Sequence, residues 1–199
     1  MSGPARTIAE KRADFRALHA AGCFVLPNPW DAGSARYLQG LGFKALATTS
    51  SGFAWSRGHA DNSLPREAIL AHLRVIVQAT DRPVNADFES GFGADPAAVG
   101  ESVGLAVDTG VAGLSVEDST GDDAAPLMPV EVAVERMRAA RRAIDERGGD
   151  TAPHAGRLCA ERRTGVDAGA GTPGPATPKR ASAHATKASC LGACERRAA

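Results

Sequence analysis

The sequence predicts an alternating α/β fold with a parallel sheet, of the kind that closes into a (β/α)8 barrel, with four β/α units in this chain. Three observations carry this. Short apolar runs rich in β-branched residues alternate with helical periodicities along residues 7–150. The units recur every ~25–40 residues, a spacing that implies parallel strands joined by crossover helices and covered by them. Each apolar run then ends in a cluster of polar groups. Four units could form an open doubly wound sheet or half of a barrel. No Gly-x-Gly-x-x-Gly follows any run, so the dinucleotide fingerprint is missing. The strand-end clusters favour the barrel, where the carboxyl ends of all strands share one face and carry the active site.

A first helix is expected from Thr7 to Ala21, with Ile8, Phe15 and Leu18 on one side. Cys23-Phe24-Val25-Leu26 reads as the first strand, stopped by Pro27-Asn28-Pro29. Ala32 to Leu41 is helical and ends at Gly42, which tolerates the left-handed stop. Phe43 to Thr49 is the second strand, followed by a loop rich in Ser and Gly. Pro65 opens a helix whose face holds Ile69, Leu73, Ile76 and Val77. Val84 to Phe88 is the third strand. Asp95-Pro96 caps a helix of small residues that runs to Asp108. Gly113 to Glu117 is the fourth strand, and Pro129 opens a last helix with Val130, Val134, Met137 and Ile144 as its buried stripe.

Charge and composition divide the 199 residues at about position 150. The formal charge is zero overall, but residues 1–150 hold 15 basic and 20 acidic residues, whereas 151–199 hold 8 and 3. From the set Val, Ile, Leu, Met, Phe, Trp and Tyr, the last 49 positions contain only Leu158, Val166 and Leu191. So little apolar surface does not offset the entropy of ordering a chain, and 151–199 is expected to be a disordered tail. The tail is basic but lacks aromatics, which argues against nucleic-acid binding. No apolar run of membrane-spanning length occurs, and the N-terminus, with Glu10 and Asp14, lacks a secretory signal's apolar stretch. Cys23, Cys159, Cys190 and Cys194 show no metal-site or disulfide spacing, so a reducing cytoplasm is the expected location.

Chemistry is expected at the strand ends. Asp87 and Glu89, two residues apart on one strand, present both carboxylates to the same side, and Glu117 reaches the same rim from the next strand. Three converging carboxylates repel one another unless a cation joins them. Oxygen ligands without nearby His or Cys suit Mg²⁺, with Mn²⁺ as an alternative, better than zinc. Thr49-Ser50-Ser51-Gly52 supplies hydroxyl and amide donors for a substrate carboxylate or phosphate. Together a chelated metal and an anion-donor loop fit a small α-keto or α-hydroxy acid. Asp61, in the loop before the third helix, is either a solvated cap or part of a lid. Trp30 is either rim packing or a pocket wall. His19, His59 and His72 lack triad or metal partners and read as structural.

These residues resemble the isocitrate lyase/phosphoenolpyruvate mutase superfamily. The resemblance lies in Asn28–Gly33, Gly42-Phe43-Lys44-Ala45 through Thr49-Ser50-Ser51-Gly52-Phe53, Asp87-Phe88-Glu89-Ser90-Gly91-Phe92-Gly93 and Leu114-Ser115-Val116-Glu117-Asp118. It implies a (β/α)8 barrel, usually with a swapped eighth helix between subunits, and Mg²⁺-assisted cleavage or formation of a C–C or P–C bond next to an α-oxo carboxylate through its enolate. Carried over by motif, Asp87 looks like the acid nearest the metal, Glu89 stands where the family usually has aspartate, and Glu117 resembles the third metal-shell acid. Thr49, Ser51, Gly52 and Phe53 match the loop that binds the substrate carboxylate. Asp61 matches a gating-loop aspartate and is the candidate catalytic residue.

Two departures narrow the reading. The lyases' Lys-Lys-Cys-Gly-His loop is replaced by Asp118-Ser119-Thr120-Gly121-Asp122-Asp123, without the acid/base cysteine, and the mutases' lysine and asparagine are absent from it too. The resemblance therefore implies a lyase or decarboxylase relative, such as one acting on 2-methylisocitrate or oxaloacetate. From about Gly149 the family's arginine-bearing fifth strand has no counterpart, and the composition is that expected of a changed reading frame or a truncation. The alternative function is thus a non-catalytic fragment of such an enzyme, whose assembly into the family's homo-oligomer is not expected to follow.

Overall fold

The computed structural model describes residues 6–122 and 124–156. Helix α1 (Ile8–Leu18) is followed by α2 (Ala32–Gly40), β1 (Leu46–Ala47), α3 (Ser50–Ser56), α4 (Arg66–Ala79), β2 (Val84–Asp87), α5 (Pro96–Val107), β3 (Gly113–Glu117), α6 (Val130–Asp145) and β4 (Ala152–Gly156). The four strands form one sheet in the order β1-β2-β3-β4, every pair parallel. No described helix is long and apolar enough to cross a membrane.

Local chemistry sets the helix starts. Thr7 and Glu10 form a reciprocal capping box on α1, with Thr7 Oγ1 accepting from Glu10 N at 3.2 Å and Glu10 Oε2 accepting from Thr7 N at 2.7 Å. Asp31 accepts from Ser34 N at 2.6 Å to cap α2, and Asp95 accepts from Ala98 N at 2.9 Å to cap α5, where Pro96 needs no donor.

The sheet has two unlike faces. Val84, Ala86, Leu114 and Val116 join Leu73, Ile76, Val99, Val103 and Ile144 in the main core between sheet and helices. The alternate positions, Asn85, Asp87, Ser115 and Glu117, point to the opposite face, where Asn85 Nδ2 donates to Ser115 Oγ at 3.0 Å. At its amino-terminal edge that second face is plugged by Phe15 of α1, which packs with Leu26, Ala45 and Ala112. A Cβ on Gly113 would stand 2.4 Å from the Phe15 ring, so the plug requires glycine there.

The parallel α/β architecture of the barrel family stands, with a different set of strands. Cys23–Leu26 is not a strand; Leu26 is buried but Cys23 and Val25 are exposed. Prolines at 27 and 29 have no N–H to donate, so only single contacts reach β1: Ala47 N donates to Pro27 O at 3.1 Å, and Asn28 Nδ2 donates to Ala47 O at 2.9 Å. The fourth strand is instead β4, paired with β3 from Gly113↔Ala152 to Glu117↔Gly156. Ordered structure therefore passes the expected boundary at residue 150. Composition missed it because Ala152, Pro153, Ala155 and Gly156 lack strand propensity, and pairing with β3 supplies what propensity does not. Residues 157–199, the rest of the expected tail, lie outside the described residues.

The stripe expected on α6 is displaced. Ile144 is buried and Met137 half-buried, but Val130 and Val134 are 65% and 40% exposed. α6 instead turns Ala139, Ala140 and Ala143 inward. A Cβ on Gly100 of α5 would lie 3.4 Å from Ala139 O, so small side chains on both helices allow close approach and rotate the buried face.

Candidate active site

Parallel pairing brings the ends of β1, β2 and β3 to one rim. The segment after β1 is not a loop: Thr49 caps α3, its Oγ1 accepting from Gly52 N at 3.1 Å and lying 3.2 Å from Ser51 Oγ. A Cβ on Gly52 would lie 2.6 Å from the Thr49 methyl, which explains the glycine in this turn. Phe53 is buried, stacked on the His72 ring of α4 at 3.7 Å between centroids and 11° between planes. His72 is thus structural; burial pushes its pKa down to about 4. Of the four expected substrate contacts, Thr49, Ser51 and Gly52 line the start of α3, while Phe53 faces α4.

The hydroxyl and amide of Ser50 are already engaged. Both donate to Asp87 Oδ2 at 3.0 Å, and Thr48 Oγ1 accepts from Asp87 N at 2.9 Å. Asp87 is therefore fixed between β1 and α3. Glu89 follows β2 in a left-handed conformation (φ 48°) with its side chain only 8% exposed. Its carbonyl accepts from Glu117 N at 2.8 Å, which joins the end of β2 to the end of β3. Burial, and then the charges of Asp87, Asp61 and Glu117, push the Glu89 carboxyl up to about 7. Four carboxyl groups thus share one electrostatic environment. Asp61 contributes from an exposed loop, where its Oδ1 accepts from Asn62 N at 3.0 Å.

This donor set is all oxygen and short of positive charge, the chemistry that suits Mg²⁺. Among the described residues no three His, Cys, Asp or Glu side chains stand ready as a preformed metal cage. Mg²⁺ commonly keeps several waters and is held by one or two carboxylates, so the donors fit it without a cage.

A groove of about 550 Å³ opens between β3 and α6, lined by Val116, Glu117, Val134, Arg136 and Met137 among others. It meets the rim at Glu117 and Asp118 but includes none of Thr49, Ser51, Asp61, Asp87 or Glu89. Two contributors, Thr48 and Arg136, escaped the sequence reading, and so did the partner of a third, Ser50. Thr48 and Ser50 lay within a recognised segment, but which hydroxyl meets Asp87 depends on register. Arg136, on the expected solvent side of α6, is 4% exposed and donates from Nη2 to Ser90 O at 2.6 Å. Its place immediately before Met137 was the available signal.

Solved structures share this fold. A protein of Burkholderia cenocepacia J2315, provisionally named a lyase/mutase, superposes with a TM-score of 0.73 at 44% identity, covering 75% of this chain and 55% of that one. A 2,3-dimethylmalate lyase of the PEP mutase/isocitrate lyase superfamily gives 0.67 at 29% identity, covering 78% and 55%. An uncharacterized protein of Mycobacterium tuberculosis (strain CDC 1551 / Oshkosh) is 34% identical over 109 residues, 54% of this chain and 41% of that protein. The chain thus spans only about half the length of these relatives. The family model described as phosphoenolpyruvate phosphomutase matches residues 15–152, a span that holds β1, β2, β3 and the rim at their ends. On this match the chain belongs to the phosphoenolpyruvate phosphomutase family.

Proposed function

We propose that the rim binds a small α-keto or α-hydroxy acid with Mg²⁺ and serves cleavage of a carbon–carbon bond next to the α-keto group, as in an oxaloacetate decarboxylase or a 2-methylisocitrate lyase. The observation that carries this reading is Glu89: a buried carboxyl pushed up to about 7, with Asp87, Asp61 and Glu117 as its charged neighbours. Asp87, Glu89 and Glu117 would hold the cation. When bound, a divalent cation supplies a Lewis acid that favours the enolate of an α-keto acid.

The chain's own residues do the rest. Ser50 fixes the Asp87 carboxylate through two hydrogen bonds, so one oxygen stays on the protein and the other faces the rim. Thr49, Ser51 and the Gly52 amide lie where a substrate carboxylate needs donors. In that role the Gly52 N–H exchanges its bond to Thr49 Oγ1 for the substrate carboxylate, and the Thr49 hydroxyl donates its own hydrogen. Asp61 sits on the exposed loop between α3 and α4, suited to cover the rim once a ligand neutralises the site. Phe53, against His72, holds α3 on α4 and sets the pitch of those donors. The setting for such an enzyme is the cytoplasm.

The test is oxaloacetate consumption by the purified chain with Mg²⁺. Turnover that stops with a chelator and in Asp87→Asn is expected. Turnover indifferent to both would contradict the proposal. Oxalate binding without turnover would favour the alternative, a catalytically silent relative that keeps the site.

A further inference from the structure

The segment that carries Glu89 is held in a conformation its residues do not favour. Glu89, Gly91 and Phe92 have φ of 48°, 86° and 51°, three left-handed residues in four, and only one of them is glycine. Such a turn persists only where the surroundings over-determine it. Two of the bonds that do so are local to the rim: Gly91 N donates to Phe88 O at 2.9 Å, and Glu117 N donates to Glu89 O at 2.8 Å.

The other two come from the helices behind the turn. Arg136 of α6 donates from Nη2 to Ser90 O at 2.6 Å. Ser102 of α5, wholly buried, donates from Oγ to Phe92 O at 3.2 Å and accepts from Arg66 Nη1 of α4 at 3.0 Å. Both contacts fall inside the turn: Ser90 lies between the left-handed Glu89 and Gly91, and Phe92, itself left-handed, closes it. The neighbouring Gly93 presses on the start of α5, where a Cβ would lie 2.4 Å from Val99 N, so the turn has no room to relax in that direction.

Arg136 is otherwise hard to explain. It is a buried guanidinium whose Nε has no hydrogen-bond partner among the described residues, and its charge is not needed to satisfy a carbonyl. A methionine or leucine would fill the same place under α6 without the desolvation cost of a buried cation. What an apolar residue would not do is reach Ser90.

We infer that Arg136 and Ser102 are positioning residues that clamp the Glu89–Phe92 turn from α6 and α5 and thereby fix where the Glu89 carboxylate meets the rim. The clamp is a property of the backbone; its consequence for Mg²⁺ rests on the function proposed above. Helices α4, α5 and α6 so reach the site through carbonyls rather than through side chains aimed at a ligand.

Amide hydrogen exchange separates the two levels. In Arg136→Met, protection of the Gly91 and Glu117 amides is expected to fall at least tenfold, with the Leu46 and Ala112 amides at the far end of the sheet unchanged. Ser102→Ala, a smaller lesion that keeps the fold, is expected to lower Gly91 protection by a lesser factor in the same pattern. Mg²⁺ affinity in the presence of oxalate should weaken in the same order. Unchanged exchange at Gly91 and Glu117 in both variants, or equal loss at all four amides in both, would overturn the clamp. Local loosening with undiminished Mg²⁺ affinity would overturn its role in placing Glu89. If the unmutated chain binds no Mg²⁺, the proposed function fails while the exchange pattern still judges the clamp.

Discussion

The two ends of the sheet bury charge in opposite ways. At the amino-terminal end, α1 inserts Lys11 and Arg12, and each finds acceptors. Lys11 Nζ donates to Val77 O and Thr80 O at 3.3 and 2.6 Å, and Arg12 donates to Val107 O and Val111 O at 2.9 and 3.0 Å and to Asp150 Oδ1 at 2.8 Å. Those carbonyls belong to the last turns of α4 and α5 and the residues just beyond, where helices end with unsatisfied acceptors and partial negative charge. The cations therefore complete the helices. At the carboxyl end Asp87, Glu89, Asp61 and Glu117 meet with no cation among the causes that shift Glu89, and its carboxyl rises to about 7. The first end pairs its buried charges with acceptors, whereas the second leaves its carboxylates to repel one another.

The contrast implies that charge removal has opposite signs at the two ends. The largest effect is expected from Arg12→Met, which takes the Arg12 donor from the Val111 carbonyl and Asp150 and leaves the Val107 carbonyl with Gly110 N alone; loss of about 3 kcal/mol in urea-induced unfolding is expected. A cost below ~0.5 kcal/mol would mean that the bottom plug is ornamental.

Glu89→Gln should do the reverse in metal-free buffer. A carboxyl whose folded pKa is raised from its ordinary 4.5 to about 7 penalises the folded state as pH climbs through that window. The variant should therefore be more stable than the parent by about 1–3 kcal/mol at pH 8, with the gain gone by pH 4.5. Destabilisation at pH 8 would break the comparison.

A smaller effect is expected at His72, midway between the ends. Its folded pKa of about 4 lies below the ordinary 6.5, so the neutral ring is the folded form, and stability is lost as pH falls from 6.5 towards 4. His72→Phe keeps the stack on Phe53 and removes the proton. The variant's acid limb, followed by circular dichroism, should be flatter by about 1–2 kcal/mol over that window.

How much of this was legible in the sequence differs between the ends too. Parallel pairing made the neighbourhood of Asp87 and Glu117 readable, but strand alternation did not place Glu89, which lies beyond β2 in a left-handed turn that residue types do not announce. The helix cap at Asp95 was read from residue type, whereas those at Thr7 and Asp31 emerged with the structure. Lys11 and Arg12 were not readable, since a cation on an amphipathic helix is ordinarily solvated, and their acceptors lie 66 to 138 residues away. Arg136 escaped for the same reason: its use is defined by the Ser90 carbonyl, 46 residues distant. Cys23–Leu26 and Ala152–Gly156 exchanged roles because strand identity at a sheet edge depends on which backbone offers N–H groups. Pro27 and Pro29 offer none, whereas the β3 backbone was available to β4 whatever its side chains.

The function proposed above requires the carboxyl end of the sheet to bind a divalent cation. Calorimetric titration of Mg²⁺ with oxalate into the chain at pH 8, where Glu89 is ionised, tests it directly. Saturable binding of one ion per chain is predicted, weakened at least tenfold in Asp87→Asn. No binding, or the same affinity in Asp87→Asn, would contradict the account.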